Sequence, residues 1–304
     1  MEGACMNEFT GGSENLKRAD AKSYDATATD FDTLTDRYST AIASRMLAIG
    51  QVGNSDRVLD LGTGTGLVAR LAAKLGSSVM GIDHSEGMLG RARLKAEQAG
   101  VASLASFEAM DAEALGLEDA SFDVAVSLYV VRHLPNPQAA INELHRVLRP
   151  GGRLVVAVGA RPSPFSADAV ASGLGALSDR ALAAIGRAAL SPECLRRLLD
   201  EDRVPPNESH AAHHGNEDVS QLLSKAGFSG IRREWWGERY TLSPEEFWDV
   251  QAVFDSEARE RLTNCSADRV EDLKARFLEK SEKLSKRGVL LIYRTGAVIY
   301  SATR

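Results

Sequence analysis

The stretch that most constrains this chain is a short apolar run followed by three glycines at alternate positions. Residues 58–66 read VLDLGTGTG, and a helical pattern begins at Leu67. This order predicts a buried strand, a tight turn and the N-terminus of a helix. Glycines let a ligand approach the backbone closely, and the first N–H groups of a helix can bind it. For this stretch alone, a plain strand-to-helix turn without a ligand is the alternative.

The spacing of the glycines differs from that of the dinucleotide-binding fingerprint. That fingerprint is G-x-G-x-x-G with an acid about 20 residues further on, whereas the third glycine here comes one residue early. The acid is present, because Asp83 ends a second apolar run, SSVMGID over residues 77–83, 21 residues after Gly62. A carboxylate at this point can accept hydrogen bonds from both ribose hydroxyls of a nucleoside.

From Arg57 onwards, short strands alternate with helices. The pattern predicts strands at 57–61, 78–82, 105–109, 122–128 and 153–158, with helices near 66–75, 86–99 and 137–148. Such alternation is typical of an α/β fold with a parallel sheet, which binds ligands beyond the carboxyl ends of its strands. Asp60, Asp83, Asp111 and Ser127 all lie at or near such ends, so one crevice can collect them.

Taken together, these motifs resemble the class I S-adenosylmethionine (SAM) dependent methyltransferases. Residues 109–112 look like the strand end that meets adenine, and residues 121–127 look like the fourth strand. Residues 143–152 look like the helix and turn before the fifth strand. The resemblance is close over residues 56–160 and is specific for the superfamily but not for a substrate. Among its members the chain looks most like the small-molecule branch of ubiquinone and menaquinone biosynthesis.

The resemblance implies a Rossmann-like, doubly wound, mostly parallel seven-stranded sheet with a helical lid insertion. It implies five segments: a flexible N-terminus at 1–19, an N-terminal helical cap at 20–50, a SAM-binding core at 51–159, a helical insertion or lid at 160–216, and the C-terminal part of the sheet with its helices at 217–304.

The resemblance also implies SAM as the cofactor, a nucleoside with a methionine tail and no phosphate. In this reading Asp60 holds the turn or the tail's amine, Asp83 binds ribose and Asp111 binds the adenine amino group. Tyr24 faces the sulfonium and Met88 packs on adenine, although both also suit an ordinary core. For each acid alone, a cap or turn role is the alternative. The cofactor-binding residues expected from this resemblance are Tyr24, Asp60, Gly62, Thr63, Gly64, Asp83, His84, Met88, Asp111, Ala112, Ser127 and Leu128.

Methyl transfer is an in-line displacement, and alignment of the reactants supplies much of its acceleration. A hydroxyl or acidic carbon acceptor can also need a base. His133 follows the fourth strand and is the candidate, with capping or cofactor packing as the alternative. His145 is expected to be structural. His210, His213 and His214 are expected to face solvent, so no metal site is predicted.

The C-terminal part predicts further elements. Leu177 to Leu190 suggests a helix, Ser191-Pro192 opens another, Glu217 to Ala226 a third, and a strand follows near 229–236. SPEE at 243–246 resembles a capping box, and Ser266 to Arg287 predicts an amphipathic helix. Two final strands are expected, at Val289–Tyr293 and Ala297–Ser301. The aromatic residues expected either to line an acceptor pocket or to fill the core are Trp235, Trp236, Tyr240, Phe247 and Trp248.

Composition restricts the partners. The 304-residue chain has a net charge of −6, which argues against a nucleic-acid partner. Cys5, Cys194 and Cys265 form no metal or redox spacing, which favours the cytoplasm. Neither an apolar run long enough to span a membrane nor a signal peptide is found. A homodimer is compatible with the sequence.

Three functions follow from the sequence. The first is methyl transfer from SAM to a small apolar or aromatic metabolite, with O- or C-methylation favoured. The second is a SAM-binding protein without transfer activity, such as a cyclase or a regulatory module. The third, an RNA or protein methyltransferase, is disfavoured by the acidic charge and by the lack of an added basic domain.

Overall fold

The computed structural model describes residues 24, 28, 31–159, 177–190, 193–205 and 218–304. The chain divides into two units. The first comprises Met1–Val158, Ala212–Glu234 and Ile299–Arg304, and the second comprises Gly159–Ala211 and Trp235–Val298. The predicted flexible N-terminus and parts of the predicted lid, including residues 160–176 and 206–216, lie outside the described residues. The five predicted segments therefore stay predictions.

The elements of the described residues are as follows. The strands are β1 (Arg57–Leu61), β2 (Ser78–Asp83), β3 (Ala105–Ala109), β4 (Phe122–Leu128), β5 (Leu148–Gly159), β6 (Ala188–Leu190), β7 (Ser229–Thr241) and β8 (Leu290–Thr303). The helices are α1 (31–49), α2 (Leu67–Lys74), α3 (Glu86–Gln98), α4 (Pro137–Val147), α5 (177–184), α6 (Glu193–Glu201), α7 (Val219–Lys225), α8 (Pro244–Phe254), α9 (Ser256–Thr263) and α10 (Ala267–Lys286).

The first unit is built on a mostly parallel sheet. Its strands lie in the order β3-β2-β1-β4-β5, each pair parallel, and the ends of β8 and β7 that belong to this unit follow β5. The predicted Rossmann-like, mostly parallel seven-stranded sheet is thereby confirmed. The central strands β1 and β4 are buried almost throughout, as expected of a sheet whose two faces are both covered.

Polar side chains cap the N-termini of two helices of this unit. The N–H of Met88 donates to Ser85 Oγ at 3.0 Å, which caps α3. Asn136 Oδ1 accepts from the N–H of Ala139 at 3.1 Å and caps α4, whose first residue is a proline. These caps satisfy N–H groups that have no partner inside the helix. The predicted bounds of α2, α3 and α4 agree with the structure within one residue.

Helix α1 is fixed on the first unit by both apolar and charged contacts. Its buried side chains recur at helical spacing from Leu34 to Leu47. On the same helix, Asp32 is buried and pairs with Arg91 Nη2 at 2.7 Å and with Lys95. Asp36 pairs with Lys95 and Arg70. These ion pairs tie α1 to α2 and α3.

The strand pattern after α4 differs from the prediction in two places. Arg149 to Gly152 was expected to be a turn before a strand at 153–158. Instead β5 begins at Leu148, and these four residues form a bulge between two paired stretches, which Gly151 permits with φ of +78°. The prediction of two final strands is wrong, because β8 runs unbroken from Leu290 to Thr303 alongside β7. Gly296 does not interrupt a strand that has a partner beside it.

The second unit contains a helical core. Phe247 and Trp248 are buried and pack on Phe277, with ring centroids 5.8 and 5.3 Å apart, so these two belong to the core rather than to a pocket. The capping box of α8 is confirmed, with Ser243 and Glu246 bonding each other's backbone N–H. The helix predicted from Leu177 to Leu190 is wrong at its C-terminal end, because Ala188–Leu190 form the strand β6, which pairs in parallel with β8. Among the described residues, no helix has the length and apolar character that crossing a membrane requires.

Candidate functional site

The register of the parallel strands brings the predicted polar residues to one edge of the sheet. Asp60 in β1 pairs with Gly81 in β2, so the residues after β1 lie beside Asp83. Asp83 in turn pairs with Ala109 at the end of β3, and the N–H of Met110 donates to the Asp83 carbonyl at 3.0 Å. The end of β4, with Ser127, lies on the other side of β1. The strand ends therefore meet as the sequence predicts.

Three N–H groups of the glycine turn, those of Thr63, Gly64 and Gly66, donate to acceptors within the protein. The N–H of Thr63 donates to the Ile82 carbonyl at 2.8 Å, and that of Gly66 donates to the Thr63 carbonyl at 2.9 Å. The N–H of Gly64 donates to Asp83 Oδ2 at 2.8 Å. A phosphate cradle needs such groups free to face the ligand. This turn is therefore built to hold its own shape and to keep a carboxylate at its edge, and a pyrophosphate would meet negative charge here.

Asp60 organises the turn from beneath. Its carboxylate is 1% exposed, and Oδ2 accepts from Thr63 Oγ1 at 2.7 Å and from the N–H of Ala69 at 3.1 Å. The second bond gives a partner to an N–H group in the first turn of α2, because the N-cap residue Gly66 provides no side-chain cap. Burial raises the pKa of Asp60 to about 7, opposed by the bonds from Thr63 and Ala69 and reinforced by the charge of Asp83.

The three glycines of the turn have three different surroundings. Gly62 has φ of +70°, and a Cβ there would overlap the side chain of Val130. Gly66 has φ of +77°, and a Cβ there would lie 2.9 Å from the Cβ of Ala92. At Gly64, with φ of +54°, the nearest described atom is Cε1 of Phe31, 3.9 Å away. Gly62 and Gly66 are thus required by packing, whereas Gly64 leaves space that a ligand can enter.

Asp83 stands at the end of β2 and is held by the backbone. Oδ1 accepts from the N–H of Ser85 at 3.0 Å while Oδ2 accepts from Gly64. Burial raises the pKa of Asp83, and the bonds from the N–H groups of Ser85, Gly64 and His84 oppose that shift. A carboxylate has about four acceptor positions, so at least one remains for a donor from a ligand.

The other predicted site residues differ in how far they are exposed. Asp111 and Ala112 are half-buried after β3, and Asp111 Oδ1 accepts from the N–H of Glu113 at 2.9 Å. Met88 is buried in the first turn of α3, whereas His84 is exposed. Ser127 is fully buried at the end of β4, and its hydroxyl has no hydrogen-bond partner among the described residues. Leu128, next to it, is half-buried.

Of the residues that follow β4, the sequence predicts a site role for His133 but not for Tyr129 or Val130. Tyr129 has φ of +64°, an unusual backbone for a tyrosine and one typical of functional sites. Val130 then packs on Gly62, and a 3₁₀ turn at Val131–His133 follows, which leaves His133 half-buried. No local pattern marks Tyr129 or Val130, because their conformation depends on the turn that they meet.

Phe31 was also missed as a site residue. It lies nearest to the open side of Gly64, and the ring of Tyr24 meets it edge-on with centroids 5.6 Å apart. Tyr24 therefore contacts the residue that lies nearest to the open side of Gly64. The predicted solvent-facing histidines 210, 213 and 214 lie outside the described residues. In the part of the chain that the structure describes, no group of three or more potential ligands could hold a metal ion.

Asp60→Asn is expected to flatten the pH dependence of stability. Because the pKa of Asp60 is raised to about 7, folding takes up a proton between about pH 4 and 7. The stabilising contribution is therefore complete below about pH 4 and is lost as the pH rises to 7, by up to about 1.4 kcal/mol per pH unit. Asparagine keeps an acceptor for Thr63 and Ala69 but does not titrate. Urea unfolding from pH 4 to 8 measures both slopes, and an unchanged slope in the variant contradicts the assignment.

Comparison with known proteins gives three consistent findings. Residues 59–156 match the family model described as a methyltransferase domain. Demethylmenaquinone methyltransferase of Mycobacterium bovis is 33% identical over 213 residues, which is 70% of this chain and 82% of that protein. The 27-O-demethylrifamycin SV methyltransferase of Amycolatopsis mediterranei is 32% identical over 204 residues, 64% of this chain and 71% of that protein.

A solved structure gives the same fold. It is phosphoethanolamine N-methyltransferase 2 of Haemonchus contortus in complex with phosphomonomethylethanolamine and S-adenosylhomocysteine. It aligns with a TM-score of 0.53 at 17% identity and covers 92% of this chain and 58% of that one.

Proposed function

The chain belongs to the class I SAM-dependent methyltransferases, enzymes with SAM as cofactor, and from that premise we propose that its acceptor is a small apolar or aromatic metabolite. O- or C-methylation is favoured. The observation that carries this proposal is the similarity, over most of their length, to two methyltransferases named for demethylmenaquinone and 27-O-demethylrifamycin SV. The chain's net charge of −6 adds support, since it disfavours RNA as the acceptor.

The described residues fit the cofactor. SAM supplies a methyl group activated by a sulfonium, and its nucleoside carries no phosphate. A turn in which three N–H groups already bond carboxylate and carbonyl oxygens suits such a ligand better than a dinucleotide. In this proposal Asp83 accepts hydrogen bonds from the ribose hydroxyls, and Asp111 accepts from the adenine amino group.

The other predicted residues complete the proposed cofactor site. Gly64 provides space at the turn, and Ser127 has a buried hydroxyl still to be partnered. The edge-to-face pair of Tyr24 and Phe31 would present aromatic surface to a cation. We propose that Gly62, Thr63, His84, Met88, Ala112 and Leu128 line the same site.

The chain's own residues would then perform two tasks. The glycine turn and the acids would hold the donor in one orientation, and alignment of this kind lowers the barrier of a displacement. His133 would take the proton of a hydroxyl or acidic carbon acceptor. We also propose a cytoplasmic enzyme, because the wide spacing of Cys5, Cys194 and Cys265 forms no metal or redox motif. Size-exclusion chromatography with light scattering tests whether the protein forms a homodimer.

Release of S-adenosylhomocysteine tests the acceptor class. Purified protein is incubated with SAM and separate panels of quinones, phenols, lipid amines and bulk RNA. We expect turnover in the quinone or phenol panel and none with RNA. Turnover with RNA alone would reverse the acceptor assignment, and binding of SAM without turnover in any panel would favour a non-transferring protein.

Asp83→Ala is expected to weaken the binding of SAM and S-adenosylhomocysteine by about 1.5–3 kcal/mol, the range for hydrogen bonds to a charged group. Isothermal titration calorimetry measures it. The matched control is Asp119→Ala, which removes an equally charged but 75% exposed carboxylate paired with Arg146. Unchanged affinity in Asp83→Ala would remove Asp83 from the ribose role. Binding of NAD as tight as that of SAM would contradict the proposed use of the whole site.

A further inference from the structure

Helix α5, in the second unit, differs from an ordinary surface helix in which of its faces is buried. The side chain that it buries is Asp179, 3% exposed, which accepts from Arg239 Nε at 3.0 Å and from Arg294 Nε at 2.7 Å. Two large apolar side chains nevertheless point outward, Leu177 in α5 at 62% exposed and Ile185 directly after it at 68% exposed, whereas Leu182 is half-buried. Surface helices normally bury the apolar stripe and expose the charges. The anchoring of α5 by an ion-paired acid therefore leaves its apolar stripe available to something else.

The exposed stripe continues beyond the helix. Gly186, with φ of +70°, ends α5, and the N–H of Arg187 closes the last turn on the Leu182 carbonyl at 2.7 Å. The N–H of Leu290 then donates to the Arg187 carbonyl at 2.9 Å, which places another exposed leucine beside the helix end. We call Leu177, Ala181, Ile185 and Leu290 the α5 face.

Positive charge surrounds this apolar surface. Arg180 and Arg187 are exposed along the α5 face, and Arg287 is exposed in the turn just before Leu290. None of the three forms an ion pair with another residue that the structure describes. The chain as a whole carries a net charge of −6, so this surface has the opposite sign to the rest of the molecule.

We propose that the α5 face docks on the surface of an anionic lipid bilayer. Apolar side chains on a helix that lies in the interface enter the boundary between headgroups and acyl chains, while flanking arginines pair with lipid phosphates. A second copy of this chain is the less suitable occupant. A twofold interface pairs a patch with itself, so it would bring these unpaired arginines towards each other. The docking requires only the second unit and does not depend on the proposed acceptor.

Sedimentation with vesicles tests the proposal on the full-length protein. We expect it to sediment with vesicles of phosphatidylcholine and phosphatidylglycerol but not with phosphatidylcholine alone, and high salt should weaken the binding. Arg180→Gln with Arg187→Gln should lower the partition about 25-fold, at about fivefold per arginine. Leu177→Gln with Ile185→Gln should lower it about tenfold or more. All four side chains are exposed, and circular dichroism verifies that the variants fold.

The matched control is Leu75→Gln with Leu94→Gln, which removes two exposed leucines of the first unit and should leave vesicle binding unchanged. Equal loss in this control, equal binding to both vesicle types or no binding to either would overturn the proposal. A dimer in light scattering that Leu177→Gln with Ile185→Gln converts to a monomer, without any vesicle binding, would assign the face to a second copy instead.

Discussion

Gly62→Ala is expected to lower the free energy of unfolding by about 2–5 kcal/mol, which is a large part of the stability of an ordinary domain. Two costs add. An alanine with φ near +70° costs about 1–2 kcal/mol, and a methyl group forced into a packed position costs about 1–3 kcal/mol. The second cost arises because the side chain of Val130 occupies the space where the Cβ would lie. Urea denaturation measures the sum.

The matched control for this substitution is Gly100→Ala. Gly100 has the same φ of +70°, is exposed, and no described atom lies within 4 Å of the position that its Cβ would take. It should lose only the backbone cost of about 1–2 kcal/mol. The double variant Gly62→Ala with Val130→Ala should recover the packing cost, giving a coupling energy of about 1–3 kcal/mol. Equal losses at Gly62 and Gly100 would show that Val130 moves away without cost.

The contrast between Gly62 and Gly64 shows what could be read from the sequence. The pattern of residues 58–66 predicts a strand, a turn and a helix, because apolar runs and glycines act locally. It treats the three glycines alike, as residues that admit a ligand. Only the structure distinguishes them, because the side chains that pack on Gly62 and Gly66, those of Val130 and Ala92, belong to distant parts of the sequence. Of the three, Gly64 has open space beside it, which the ligand role suggested by the spacing requires.

Asp60 also shows a limit of prediction from the sequence. A buried acid in an apolar strand is a clear signal, and the sequence left two roles for it, holding the turn or binding a ligand amine. The structure gives it donors at Thr63 and Ala69 that account for its burial. Tyr129 shows the opposite case, since its positive φ is produced by tertiary packing and has no sequence signature.

The reversed orientation of α5 could not be predicted either. Periodicity locates the apolar stripe of a helix and assumes that this stripe faces the core. Here Arg239 and Arg294 of two strands bind Asp179 on the opposite side and decide which face is buried. A charge pairing between residues 60 and 115 positions apart determines the result. For that reason the docking surface is found in the structure and not in the pattern.

His133→Ala is expected to lower turnover by about 10²–10⁴-fold once an acceptor is known, the range for loss of a general base. His133 ends the 3₁₀ turn that follows Val130, and Val130 packs directly on the glycine turn. This position puts a half-buried imidazole after the strand end that holds Ser127. A base acts in the transition state, so the SAM affinity should stay within about twofold of the parent while turnover falls.

The matched control is His145→Gln, because His145 is likewise half-buried but lies in α4 with its ring edge-on to Phe228, 5.0 Å between centroids. His145→Gln should keep normal turnover, whereas His133→Gln, which keeps hydrogen bonding without a basic nitrogen, should lose it as His133→Ala does. The acidic limb of the pH–rate profile should disappear only in the His133 variants. If turnover is instead near normal and SAM affinity falls, His133 packs against the donor and alignment alone carries the reaction.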